Sequence, residues 1–134
     1  MSCQNKGLAV FDLVGRVLLA FIFLFAALGK IENYDGTRLY MMSYGVPGAL
    51  LPVVIAVELL GSLAIMVGLW TRYAALLLAL FSIAAIVIFH QNLATMTNQI
   101  ITLAEVSFTG GLILLAVNGA GCLSLDALVK RGKA

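Results

Sequence analysis

Charge is what this chain lacks most. Eight basic and six acidic side chains are spread over 134 residues, 10% of the total, where soluble domains carry roughly 25%. Together with 63% apolar residues, this excludes a water-soluble globule of ordinary type. The net charge is only +2 and no basic stripe exists, which excludes a nucleic-acid partner. Histidine occurs once and cysteine twice, with no CxxC or His/Cys cluster. No metal site is expected, and no ligand set for haem, flavin or an iron–sulfur cluster is evident. The two cysteines, Cys3 and Cys122, fall on one side of any even number of spans. The orientation argued below makes that side cytoplasmic, so no structural disulfide is expected. Internal repeats and low-complexity segments are also missing.

What the chain has is apolar length. A helical span needs ~20 mostly apolar residues at 1.5 Å rise each, and four such segments fill the sequence, over about 8–28, 50–70, 73–90 and 100–117. The expectation is an all-α, up-down transmembrane four-helix bundle in the lipid bilayer, one domain over 1–134. Asp12 and Arg16 sit where a signal peptide should be apolar, so the first segment reads as a retained helix. Pro52 falls in the first turn of the second helix, where a missing N–H is harmless. The only sizeable connection follows the first span. Within it, 37–44 is preceded by Asp35-Gly36 and stopped by Gly45 and Pro47, which predicts a short interfacial helix, a headgroup-lying loop or a lid. Ala75 and Ala79, and Ser107 and Gly111, are small residues four apart. They permit close helix approach and read as packing within one protomer in preference to a dimer seam; a homo-oligomer stays open.

Basic residues set an orientation. Lys6, Arg72, Lys130, Arg131 and Lys133 share one side, and Lys30 and Arg38 the other. The positive-inside rule then puts both termini in the cytoplasm. Charges buried in spans cost roughly 2.5–3.5 kcal/mol each on insertion scales, so those retained there are functional candidates. Glu58 and Glu105 lie five or six residues into their helices, and Lys30 and His90 end theirs. All four converge in the outer half, with Tyr40 and Tyr44 above them. Lys30 taken alone reads as a snorkelling anchor. On the inner side Asp12 and Arg16 are four apart, a helix-face pair that explains both residues structurally.

Several short motifs in order resemble the DoxX-like family of membrane proteins. They are the helix from Arg16 to Gly29-Lys30, Gly45-Val-Pro47, Glu58-Leu-Leu-Gly61, Gly68-Leu-Trp-Thr-Arg72, His90 and Gly119-Ala-Gly121-Cys-Leu-Ser-Leu-Asp126. The likeness covers about 13–126. It implies a four-helix bundle of a bacterial inner membrane, in a family that includes the membrane part of a thiosulfate:quinone oxidoreductase and subunits associated with redox partners. The corresponding reading is a redox-linked module with a quinone in an outer-leaflet cavity. Lys30, Glu58, His90, Glu105, Tyr40 and Tyr44 would bind it, and Glu58 and His90 would relay protons. Electrons must come from a partner protein. The alternatives are a non-catalytic accessory or assembly subunit and, less favoured, a small-molecule transporter.

Overall fold

A computed structural model describes residues 5–89 and 93–132. The all-α expectation is borne out: among the described residues there is no strand. The elements are α1 (Lys6–Glu32), α2 (Tyr34–Ser43), a 3-10 turn (Gly48–Leu50), α3 (Leu51–Val67), α4 (Thr71–Phe89), α5 (Met96–Asn118) and α6 (Leu125–Gly132). Four of them, α1, α3 with its 3-10 turn, α4 and α5, are long and apolar enough to cross a bilayer. Large apolar side chains on their outer faces, such as Phe11 at 77% and Tyr73 at 78% exposure, would be an aggregation surface in water and are what lipid solvates.

Element ends follow local chemistry that hydropathy hides. The side chain of Asn5 caps α1 by accepting from Leu8 N at 3.2 Å. That helix runs to Glu32, past the Gly29-Lys30 stop expected from sequence, and turns into α2 at Asn33. Its neighbour α3 ends at Val67, three residues earlier than expected, because Gly68 takes the left-handed conformation (φ 75°) that closes helices. A Cβ on Gly68 would lie 2.3 Å from Ser124 Cβ, so space as well as φ demands glycine. The tight turn between α3 and α4 is therefore 68–70, and Thr71 and Arg72 already belong to α4. Helix α5 starts four residues early, where Thr95 accepts from Asn98 N at 3.2 Å. Polar residues placed in the connection on composition are thus its first turn. The terminal helix α6, which the span pattern did not anticipate, starts beside Ser124, whose hydroxyl accepts from Ala127 N at 3.2 Å.

Packing runs α1 on α3, α3 on α4 and α4 on α5, while α1 and α5 barely meet. The buried core joins Ala20, Phe23, Ile65, Ala75, Leu78, Ala79 and Leu112. Gly61 admits Leu78 closely: a Cβ there would sit 3.0 Å from Leu78 Cγ. Ala75 and Ala79 serve packing inside the protomer as expected, whereas Ser107 faces outward. Cys122 is disulfide-bonded, against the expectation of free thiols; Cys3 lies outside the described residues. The amide of neighbouring Gly121 donates to Asp12 at 2.9 Å, which carries Cys122 to the beginning of α1.

Candidate functional site

Lys30 and Glu58 meet. Glu58 stands seven residues past the start of α3, about 10 Å down its axis, and is 3% exposed. Lys30 sits near the end of α1, and its stem reaches inward to bring Nζ within 2.6 and 2.7 Å of the two carboxylate oxygens. The ammonium thus turns into the bundle and is not a headgroup anchor. An ammonium has three donors, and two are used here. The third is available to a ligand.

This pair is set in the wall of a cavity of about 580 Å³ lined by residues of α1 to α5, within the range of small-molecule sites. The walls are mostly apolar, with Phe23, Phe81, Ala85 and Phe108 prominent. The polar groups are few: Lys30, Glu58, Glu105, Tyr40, Thr37 and Ser82. Glu105 lines the same space from α5, about 14 Å along that helix. His90, expected beside it, lies outside the described residues. Its neighbour Phe89 lines the cavity.

The short helix α2 roofs this space. Met41 is buried beneath it. Tyr40 stacks on Phe89 with ring centroids 5.5 Å apart, and Tyr44 packs on both, at 5.0 Å from Tyr40 and 5.2 Å from Phe89. Tyr40 lines the cavity and Tyr44 stands behind it as a buttress. Burial, then the hydrogen bond and charge of Tyr44, push the Tyr40 phenol above its ordinary value. It stays neutral at physiological pH.

The opposite end of the bundle carries a different polar cluster. Arg16, 2% exposed, donates to Asp12 at 3.0 Å, to the carbonyls of Ile65 at 2.9 Å and Met66 at 3.3 Å, and to that of Leu123. A cation thus satisfies the last carbonyls of α3, where the helix dipole favours it. Asp12 also accepts from Gly121 N. Asp126 reaches back across the bundle end and accepts from Trp70 N at 2.7 Å and Thr71 N at 3.0 Å, capping α4. Arg16 therefore does more than pair with Asp12. The cluster ties α1, the 68–70 turn and the 119–126 segment into one latch.

Sequence reasoning missed the cap by Asp126, the stacking role of Phe89, and Ser82 in the cavity wall. An Asp near a chain end gives no sign of which helix it caps. Phe89 was legible only as span composition. Between the two polar layers lies the apolar core of Ala20, Phe23, Leu78 and Leu112. Among the described residues no group of three or more His, Cys, Asp or Glu is placed to hold a metal.

Comparison with known proteins joins these features to a family. The DoxX family model matches residues 11–91. An Escherichia coli (strain K12) protein named "Inner membrane protein YqjF" is 41% identical over 119 residues, 89% of this chain and 92% of that protein. "Inner membrane protein YphA" of the same organism is 34% identical over 85% of this chain and 86% of its own length. The Bacillus subtilis (strain 168) protein named "Putative oxidoreductase CatD" is 34% identical over 97% of this chain and 95% of its own. No solved structure matches. Four apolar spans and a family match over most of their length make this chain a multi-pass membrane protein of the DoxX family.

Proposed function

We propose that the chain is a redox-linked subunit of a bacterial inner membrane that binds a quinone in the cavity beneath α2. The observation that carries this reading is the Lys30–Glu58 pair set in an otherwise apolar cavity of about 580 Å³. Apolar and aromatic walls suit a flat ring, and a few convergent polar groups suit its oxygens; the residues present fit such a ligand. A bound quinone supplies two-electron, two-proton chemistry. The unused Lys30 donor orients a ring oxygen by hydrogen bonding, and the neutral Tyr40 ring packs beside it. Glu58, held by Lys30, exchanges a proton with it, and Glu105 stands at the same cavity wall. The role of His90 as a second proton carrier rests on sequence alone. Electrons arrive from a redox protein partner. The excess of basic residues on the side of both termini supports a cytoplasmic location for them, while the disulfide of Cys122 on that side favours an oxidising compartment.

Two relatives named only as inner membrane proteins keep a second reading in play, a non-catalytic accessory subunit. Purified protein in lipid nanodiscs decides between them. On the first reading it retains or takes up a benzoquinone, and Glu58→Gln folds normally while proton-coupled turnover with its partner falls at least tenfold. Protein that neither carries nor binds a quinone overturns the first reading and leaves the second.

A further inference from the structure

Three seams of the bundle are closed by packed helices; the fourth, between α1 and α5, is not. It closes only at a neck, where Phe23 meets Phe108 edge-on with centroids 5.7 Å apart and Leu19 lies against Gly111. On one side of the neck is the cavity already described. There Ile22 of α1 and Ile101 of α5 line the cavity and yet remain 45% and 41% exposed, so the cavity opens sideways between these helices. Beyond the neck the same seam continues as a groove of about 250 Å³, walled by Phe11, Gly15, Leu19, Gly111 and Leu114 and bordered by the Asp12–Arg16 pair and Asn118.

The structure assigns this seam to the apolar tail of the ligand whose head occupies the cavity, and makes the α1–α5 gap its entrance from the bilayer. The inference rests on the quinone reading for the identity of the head. Its occupant is an amphiphile with a prenyl or alkyl chain. Three features select it. Among the described residues the roof is packed by buried Met41 and the Tyr40–Tyr44–Phe89 cluster, which stands over the aqueous route to Lys30, while the lateral route has no such cover. A tail that enters from hydrocarbon never crosses water, whereas passage from the aqueous side would expose it, and the Asp12–Arg16 pair bordering the groove is already satisfied by its own hydrogen bonds. The seam from Lys30 to Phe11 spans 19 residues, about 28 Å, close to the ~30 Å hydrocarbon thickness. Head cavity and groove thus lie end to end within one bilayer.

A photoreactive probe tests this. A benzoquinone bearing a ten-carbon tail with a terminal diazirine is added to the protein in phosphatidylethanolamine/phosphatidylglycerol nanodiscs, irradiated, and the labelled peptides are read by mass spectrometry. The expected label falls on 11–19 of α1 or 111–115 of α5, and excess tail-less dimethoxy-methylbenzoquinone lowers it at least tenfold. Gly15→Leu, whose Cβ would point into open space, fills the groove and lowers that label severalfold. Gly110→Leu, likewise open and outside both cavities, leaves it unchanged. A displaceable label on α2 or α4 overturns the seam assignment, as does ring binding without displaceable labelling. Labelling of the seam that the tail-less ring does not displace makes the groove an ordinary lipid contact and also overturns it. Failure of the quinone reading itself is read separately, as absence of binding by the tail-less ring.

Discussion

Replacing Arg16 with leucine removes four hydrogen bonds at once, to Asp12 and to the carbonyls of Ile65, Met66 and Leu123. It also strands a largely buried carboxylate. Breaking a buried charge pair by removing one partner costs about 3–5 kcal/mol, a large part of any protein's margin. The informative variant is the double replacement Asp12→Leu with Arg16→Leu. Were the helix-face pair the whole story, removing both charges would restore stability nearly to that of the unaltered protein. The structure predicts otherwise. Ile65 O keeps a bond from Gly68 N at 3.2 Å, but Leu123 O loses the donor that Arg16 supplied and Gly121 N loses its acceptor. Each buried polar group left unsatisfied costs about 1–3 kcal/mol, so the double variant stays about 2–4 kcal/mol below the unaltered protein. Thermal unfolding in detergent, followed by loss of the monodisperse size-exclusion peak, measures both. A double variant within about 1 kcal/mol of the unaltered protein would refute the argument, since the carbonyl bonds would then contribute nothing.

Two further outcomes follow from the same latch. Asp126→Ala removes both cap bonds to Trp70 N and Thr71 N and is expected to cost about 1–2 kcal/mol, read as a lower unfolding midpoint; no shift would mean that the 119–126 segment does not brace α4. Gly68→Ala meets both a left-handed backbone and Ser124 Cβ at 2.3 Å. It should exceed the roughly 1 kcal/mol that an alanine at positive φ costs alone, with a larger loss than Gly110→Ala in the same unfolding assay.

What the sequence determined by itself was set by local physics. The bilayer's demand for ~20 apolar residues per span made four helices legible before any packing was known, and the short helix after the first span was legible from its stop signals. The depth of Glu58 and Lys30 followed from helical rise, because both sit near ends that turn signals mark. The family motifs were legible too, though not their purpose: Arg16, the glycine of Gly68-Leu-Trp-Thr-Arg72 and Asp126 are far apart in sequence and form one latch only when the bundle end is assembled. Helix ends were misread where polar residues looked like loop. Thr95 and Ser124 act as caps, and capping depends on which amide lies within reach, not on composition. The cavity needed the tertiary structure most. Phe81, Ala85 and Phe108 read in sequence as ordinary span residues, because hydropathy scores lipid-facing and cavity-facing side chains alike. Only the relative rotation and spacing of the helices, decided by contacts such as Gly61 on Leu78 and the open α1–α5 seam, makes some of them walls and leaves the others in lipid.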